Sequence, residues 1–448
     1  MLVVVQVTVN VKKKGESVHP FSEGGNMYKI SNYNIVKEYK DKIIVYNSYT
    51  KANIFLEKGS STKAFEDIDE FNKLDENTKN ILIRNGFIID EDRDEFSEIK
   101  YMYEKKYYDK TFFNIVLVPS LACNFSCPYC FEKDLKCGSE DIKKYFSALK
   151  KFAKKNFKNY KCIQISLFGG EPLLFAKQCI EFLDWVKKDA KENNYKYFTS
   201  IVTNGSLLTE KILDGLLEND LRMLQITIDS DKKTHDLTRR FKNGKPSFDL
   251  LIEKISMIIN KTKNKKDFKF VLRINLSNTT VKKVRESLEY INPKYRSKVN
   301  LLIRSVYNTH AYKDKNKNNN SQIDDYFDMG KELGFEIFQE SFQYQSCEAC
   351  ADDKFFYLMP DLSVWKCIND LNYDKAKIGQ ILDDGSIVID PRKNVYWSKN
   401  AMSAFNDKKC INCKQLPDCY GGCILKKCKT CKKQCRPFEM TSMLHIFR

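Results

Sequence analysis

The chain has 448 residues with 76 basic and 59 acidic side chains, which give a formal net charge of +17. This length predicts two or three domains, and a hydrophobic content of 42% favours globular packing over disorder. A run of about 18 apolar residues is absent, which argues against a membrane span. The apolar start at residues 1–5 is too short for a signal-peptide core. We therefore expect a cytoplasmic protein with no membrane partner.

Two features of the composition concern partners and metals. The positive charge could attract an anionic partner, but much of it comes from scattered lysines, as at 261–269 and 313–320, that solvated loops explain. The chain also has 16 cysteines. Because cytosolic thiols stay reduced, clustered cysteines in such a chain indicate metal binding rather than disulfides.

Residues 26–100 are predicted to form a small domain of their own. Gly86 follows a helical segment and suits a left-handed C-cap. The predicted order is three strands, two helices and a last strand, at 35–39, 42–46, 52–56, 65–71, 76–85 and 87–90. This order resembles the winged-helix-like leader-peptide recognition domain at the front of many enzymes that modify ribosomally made peptides. A structural cap on the next domain is the alternative.

Strand and helix patterns alternate from residue 111 to residue 310. The helical stretch that contains Ile142, Phe146 and Leu149 keeps its apolar residues on one face. Six strand-like runs are found at 112–119, 162–168, 198–203, 223–228, 270–276 and 300–304. Such alternation predicts an α/β fold with parallel strands joined by helical crossovers.

Three cysteines follow the first of these strands. Cys123, Cys127 and Cys130 have the spacing C-x3-C-x2-C, with Tyr129 before the last one. A four-iron cluster normally has four thiolate ligands, so three leave one iron open to another ligand. The pattern resembles the radical S-adenosylmethionine (SAM) enzymes, in which the open iron binds SAM and an electron from the cluster cleaves it to a 5'-deoxyadenosyl radical. A zinc knuckle or core cysteines are the alternatives.

That resemblance implies a partial (β/α)6 barrel over 111–310, with the active groups at the C-terminal strand ends. The turn after the second strand, Gly169-Gly170-Glu171-Pro172, has glycines that let a ligand approach the backbone and a proline that can open a helix. Alone, such a tetrad is a turn as often as a site. One strand after the cysteine loop, it resembles the motif by which these enzymes bind the SAM amino group.

Further SAM contacts are expected at later strand ends. Thr203 and Asn204 offer a hydroxyl and an amide where a ribose would lie in the resembling fold, although a plain Asn-Gly turn explains them nearly as well. Similar enzymes carry an aspartate and an Asp-x-x-Arg stretch, as at Asp229 and 236–239, and helix capping is the alternative. The fifth strand adds two candidates, Arg273 and Asn275.

Residues 340–440 are rich in cysteine. The spacing Cys410-x2-Cys413-x5-Cys419-x3-Cys423 resembles the SPASM domain, which holds two further four-iron clusters in certain radical SAM enzymes. The resemblance implies a first auxiliary cluster on Cys347, Cys350, Cys367 and Cys423. It implies a second on Cys410, Cys413, Cys419 and one later cysteine, for which Cys435 is favoured over Cys428 and Cys431. Leu362 stands where the family's turn usually has glycine.

Together the resemblances imply a radical SAM oxidoreductase that acts on a ribosomally made precursor peptide. Its cofactors would be SAM and three [4Fe-4S] clusters, and its further partner a one-electron donor such as flavodoxin or ferredoxin. The implied product is a Cys thioether crosslink, as in sactipeptide and ranthipeptide maturases. The sequence does not identify a catalytic base.

Other reactions stay open. Carbon-carbon crosslinking is one, and sulfatase-maturase-like oxidation of Ser or Cys is another. The latter loses its usual base, because Ile368 follows Cys367 where those enzymes commonly have an aspartate. A zinc-bearing nucleic-acid-binding protein would explain the charge and the C-x2-C pairs, but no basic stripe on one helix and no aromatic stacking motif supports it.

Overall fold

The computed structural model describes residues 4–8, 27–39, 42–132, 141–276, 279–306, 323–338, 354–369, 373–425 and 427. These residues fall into two units. The first takes its described residues from 1–108 and 397–448, and the second from 109–339 and 352–396. No helix in this described part is long and apolar enough to cross a membrane.

The front of the first unit combines antiparallel strands with three helices. Its strands are β1 (Val4–Thr8), β2 (Tyr28–Ile30), β3 (Asn34–Tyr39), β4 (Lys42–Asn47), β5 (Asn53–Glu57) and β6 (Ile88–Asp90). Its helices are α1 (Ile68–Asn72), α2 (Glu76–Arg84) and α3 (Glu95–Tyr108). The sheet order is β1-β5-β4-β3, and β2 pairs with β6.

Alternation along β4 and β5 places Val45, Ile54 and Leu56 in a core shared with Phe71 and Phe87. Gly86 has a φ of +73° directly after α2 and its C-cap Asn85, which confirms the predicted left-handed stop. The predicted strands and helices of this region are confirmed. Three elements at the front of the first unit, β1, β2 and α3, were not predicted.

The second unit begins with seven strands in chain order, each parallel to its neighbours: β7 (Phe112–Leu117), β8 (Cys162–Leu167), β9 (Lys196–Val202), β10 (Leu221–Ile228), β11 (Lys269–Leu276), β12 (Val299–Ser305) and β13 (Glu336–Ile337). The helices between them are α4 (Ile142–Asn156), α5 (Ala176–Asn193), α6 (Glu210–Glu218), α7 (Lys232–Thr238), α8 (Phe248–Thr262), α9 (Val281–Glu289) and α10 (Ile323–Glu332). The first six strands match the six predicted runs, so the predicted α/β class is confirmed. Their C-terminal ends lie at one edge of the sheet.

Four short strands extend this sheet beyond β7. They are β14 (Phe355–Leu358), which is parallel to β7, and β15 (Ser363–Trp365), β16 (Lys377–Ile381) and β17 (Ile387–Ile389), which pair antiparallel. Leu362 has a φ of +63° before β15, the conformation that the family's usual glycine would adopt. The chain then forms α11 (Pro391–Ala401), α12 (Lys408–Ile411) and α13 (Leu416–Cys419).

The predicted domain boundaries do not coincide with these units. The described residues of 340–440 are divided between both units, and those of 26–100 share the first unit with Cys410 to Cys423. The assignment of a winged-helix-like front domain and a SPASM domain therefore stays a prediction that rests on the resemblance to those families.

Candidate active site

The three-cysteine loop follows β7. Cys123, Cys127 and Cys130 are partly buried, and burial raises the pKa of Cys127 to about 11 and that of Cys130 to about 12. The thiols also lie near enough to influence one another, since Cys123 raises the pKa of both others. Such thiols stay protonated until a positively charged metal centre displaces the protons. The loop can therefore supply three thiolates to one centre.

The glycine turn after β8 supports this loop through its backbone. The amide N of Gly170 donates to Ser120 O at 3.1 Å, and that of Glu171 to Ala122 O at 2.9 Å. A Cβ on Gly170 would collide with the carbonyl oxygens of Leu121 and Ala122. Glycine is required here because two backbones meet. Pro172 opens a short 3-10 helix, Pro172–Phe175, as its position predicted.

Glu171 connects the glycine turn to the end of β9. Its fully buried carboxylate accepts hydrogen bonds from Leu173 N at 2.9 Å, Thr203 Oγ1 at 2.6 Å and Asn204 N at 2.7 Å. Burial raises the pKa of Glu171, and these three hydrogen bonds oppose the shift. The Thr203 hydroxyl, predicted at a ribose, is thus engaged by Glu171.

Asn204 continues the connection to the cysteine loop. Its Nδ2 donates to Asn124 Oδ1 at 2.7 Å and lies 3.6 Å from Cys123 Sγ. Its Oδ1 accepts from the backbone N and the hydroxyl of Ser206. The structure therefore brings Asn204 next to a predicted metal ligand. Asn124 and Ser206, which the sequence did not single out, complete this network.

A second network joins the cysteine loop to the ends of β10 and β11. The Tyr129 hydroxyl donates to Asp229 Oδ2 and lies 3.2 Å from Arg239 Nη1 and 3.4 Å from Asn275 Nδ2. Thr238 Oγ1 donates to the same Asp229 oxygen at 3.0 Å. Asp229 and Arg239, for which capping was the alternative, thus face the loop.

Capping does explain a neighbouring residue of the predicted stretch. Asp236 Oδ1 accepts from the backbone N of Ser247 and of Phe248, both at 2.9 Å, at the start of α8. His235 has a positioning role instead. Its Nδ1 accepts a hydrogen bond from Asp229 N at 3.2 Å and so positions the end of β10. Arg273 donates from Nε to Asn275 Oδ1 at 2.8 Å, one step from Tyr129.

Three buried polar atoms of this edge have no hydrogen-bond partner among the residues that the structure describes: Asp229 Oδ1, Arg239 Nε and Glu132 Oε1. Buried polar groups are normally satisfied, so a polar ligand is the expected partner of such atoms. Glu132 was not predicted. Burial alone raises its pKa to about 8, and only tertiary structure reveals that burial. Three thiols on one loop, a tight glycine turn and unsatisfied donors and acceptors are the chemical groups that an iron-sulfur cluster with bound SAM would need.

The C-terminal cysteines are divided by the structure. Cys410, Cys413, Cys419 and Cys423 are in the first unit and Cys367 is in the second, whereas Cys347, Cys350, Cys428, Cys431 and Cys435 lie outside the described residues. Burial raises the pKa of Cys419, a hydrogen bond from the Gly421 backbone opposes that rise, and Cys413 and Cys410 add smaller upward contributions. Within the described residues, no three His, Cys, Asp or Glu side chains are gathered to hold a single metal ion.

Comparison with known proteins also points to a radical SAM domain. Residues 117–293 match the model of the radical SAM superfamily. A cysteine-type anaerobic sulfatase-maturating enzyme of Clostridium novyi (strain NT) is 26% identical over 329 residues, which are 68% of this chain and 86% of that enzyme.

Two solved structures share the fold. Native anSMEcpe with bound AdoMet and Kp18Cys peptide superposes with a TM-score of 0.54 at 20% identity, over 70% of this chain and 89% of that one. Streptococcus suis SuiB bound to precursor peptide SuiA superposes with a TM-score of 0.50 at 17% identity, over 90% of this chain and 97% of that one. Residues 117–293 therefore form a radical SAM domain, and the protein that contains this domain is an enzyme.

Proposed function

We propose that this enzyme modifies a ribosomally made precursor peptide and that its product is a Cys thioether crosslink. The observation that carries the proposal is the joining of the cysteine loop to Asp229 and Arg239 through Tyr129, with an unsatisfied acceptor and donor beside it. A site of this kind can hold a cluster and a polar cosubstrate at one edge of the sheet.

When bound, the cluster and SAM supply a 5'-deoxyadenosyl radical that takes a hydrogen atom from the substrate. The chain supplies the ligands and their placement. Cys123, Cys127 and Cys130 would hold the cluster, and the backbone of the glycine turn would bind the SAM amino group. Tyr129, Glu171, Thr203, Asn204 and Arg273 would complete the proposed pocket. Glu171, Thr203 and Asn204 would do so by fixing the surrounding loops.

Two solved structures with a similar fold support a peptide substrate. The anSMEcpe structure contains a Kp18Cys peptide, and the SuiB structure contains precursor peptide SuiA. Residues 27–108 contain the predicted strands and helices, with β2 and α3 in addition, and the resemblance of the predicted order to a leader-peptide recognition domain supports this proposal. We further propose flavodoxin or ferredoxin as the electron donor.

The C-terminal cysteines are proposed to hold two auxiliary [4Fe-4S] clusters, with the ligand sets given by the SPASM resemblance. Forming a C–S bond from a carbon radical and a thiol releases one proton and one electron. A cluster can accept that electron, which makes the reaction balance without a further oxidant. This requirement is the chemical reason for placing clusters beside the substrate.

A second candidate is oxidation of Ser or Cys in a protein substrate. The similarity to the cysteine-type sulfatase-maturating enzyme favours it. Against it, the residue after Cys367 is Ile368, an apolar side chain that is 3% exposed and has no proton to exchange. Carbon-carbon crosslinking is a third outcome that the same radical could give.

Incubation of the reconstituted enzyme with SAM, dithionite and the candidate precursor peptide tests these reactions. A thioether makes the peptide lighter by two hydrogen atoms, removes one alkylatable thiol and creates no aldehyde. Oxidation to an aldehyde would be trapped by a hydrazide reagent and would overturn the thioether. Loss of two hydrogen atoms with every thiol still alkylatable would indicate a carbon-carbon bond instead.

A further inference from the structure

The turn between β4 and β5 contacts the C-terminal cysteine segment of the same unit. Lys51, whose φ is +66°, forms an ion pair with Asp418. The Tyr46 hydroxyl donates to the same carboxylate, 3.3 Å from Oδ2. Ser48 Oγ donates to the carbonyl oxygen of Lys414. The β4–β5 turn thereby contacts two residues, Lys414 and Asp418, of the C-terminal cysteine segment (residues 410–423), which we call the tail.

Both contacted residues are next to proposed cluster ligands in the sequence. Lys414 directly follows Cys413, and Asp418 directly precedes Cys419. The residue after Cys419 is held as well, because the ring of Tyr420 packs on Tyr103 of α3 with centroids 4.7 Å apart.

The Asp418 carboxylate is buried, with 4% of the residue exposed. A buried charge is expensive without a partner, so the position of Asp418 depends on Lys51. Cys419 ends α13, the short helix that also contains Asp418, and its amide N bonds to Gln415 O at 2.9 Å. Moving Asp418 would move the thiol beside it.

From these contacts we infer that Lys51 and Asp418 are positioning residues of the second auxiliary cluster. The front domain, through its β4–β5 turn, fixes the backbone directly beside Cys413 and Cys419, two of the proposed ligands. This inference rests on the proposed function, since it requires a cluster on the tail. It adds that the peptide-recognition domain is also part of a metal site.

Anaerobically reconstituted full-length variants test the inference through iron rather than turnover. We expect Lys51→Met and Asp418→Asn to lose about four of about twelve irons, the content of one cluster out of three. Iron that remains should leave the tail to a chelator at least tenfold faster than in the wild type. Lys51→Arg keeps the charge and should behave as wild type.

Lys73→Met is the matched control, because Lys73 pairs with Glu70 in the same unit but is 68% exposed. It should keep wild-type iron. All variants should still form 5'-deoxyadenosine without peptide, because the radical SAM loop is in the other unit.

Wild-type iron content and wild-type release rates in Lys51→Met would overturn the inference while leaving the proposed function intact. A wild-type protein with only about four irons would overturn the tail clusters themselves, and the inference with them. If Lys51→Met does not fold, the rate of iron release from Tyr46→Phe tests the inference instead, because Tyr46 also bonds to Asp418. Faster iron release from it supports the positioning role, and an unchanged rate contradicts it.

Discussion

Tyr129 donates its hydroxyl hydrogen to Asp229, a residue 100 positions later in the chain. The aromatic residue that precedes the last cysteine of the loop is thereby fixed to the end of β10. Arg239 and Asn275 approach the same hydroxyl at 3.2 and 3.4 Å. One oxygen atom thus connects the cluster loop with two further strand ends.

Removal of this hydroxyl should loosen the SAM pocket. We expect Tyr129→Phe to weaken SAM binding about tenfold, equivalent to about 1.4 kcal/mol, because a hydrogen bond to a charged group is lost and the cysteine loop is no longer linked to Asp229 and Arg239 through this hydroxyl. Equilibrium dialysis with SAM measures the effect. Tyr108→Phe is the control, since Tyr108 is 59% exposed, and equal affinities for both variants would contradict the role of Tyr129.

Gly170→Ala should prevent assembly of the radical SAM cluster. The added Cβ would collide with two carbonyl oxygens of the cysteine loop, both backbone atoms that cannot rotate away. We expect loss of about four irons per chain and of SAM cleavage.

Gly59→Ala is the control for this substitution. Its Cβ would meet no atom within 4 Å, although Gly59 has a φ of +88°. It should lower stability by about 1 kcal/mol through the left-handed backbone alone and keep all iron. Retention of the radical SAM cluster by Gly170→Ala would show that the two backbones can separate.

Stability should fall in mild acid because of His235. This fully buried imidazole has its pKa lowered to about 3 by burial and by Arg239. An unfolded histidine has a pKa of about 6.5, so below that pH only the unfolded chain gains the proton. The contribution to stability is present above about pH 6.5 and is lost as the pH falls towards 3, by up to about 1.4 kcal/mol per pH unit.

Urea unfolding of the metal-free protein measures this loss, with His235→Gln as reference because Gln cannot titrate. Between about pH 6.5 and about pH 5.5, the wild type should lose about 1 kcal/mol more than the variant. Parallel losses in the two proteins would mean that His235 is protonated in the folded state.

Leu362 should tolerate glycine better than alanine. Its left-handed backbone costs about 1 kcal/mol, which glycine relieves, whereas loss of a buried leucine side chain costs about 2–5 kcal/mol. We expect Leu362→Gly to lower the free energy of unfolding by about 2 kcal/mol and Leu362→Ala by about 1 kcal/mol more. Urea titration measures both, and a more stable alanine variant would contradict the backbone argument.

The barrel strands could be predicted because each is an apolar run between polar helix faces, as in β8 and β10. The strands β14 to β17 were missed, since they are three to five residues long and lack such contrast. Helix α3 was missed because only one of its buried positions is aliphatic; the buried residues are Glu95, Ile99, Tyr103 and Tyr107. Propensity and period signal long elements and say little about short ones.

In the candidate site, the sequence could supply the cysteines and the glycine turn but could not separate ligand from cap at Asp229, Asp236 and Arg239. Whether such a residue faces the cysteine loop or caps a helix depends on the direction of its side chain in the folded protein, which the sequence does not reveal. The packing of the β4–β5 turn on Asp418 was equally invisible, since 367 residues separate Lys51 from Asp418. We therefore expect deletion of residues 1–100 to disturb the segment around Asp418 as well as the proposed peptide recognition.

The most direct measurement is 5'-deoxyadenosine formation by the variant in which Cys123, Cys127 and Cys130 are all replaced by Ala, together with its iron content. We predict no 5'-deoxyadenosine and retention of about eight of about twelve irons, because only the SAM-binding cluster loses its ligands. Continued formation of 5'-deoxyadenosine would contradict the assignment of this loop as the radical SAM site.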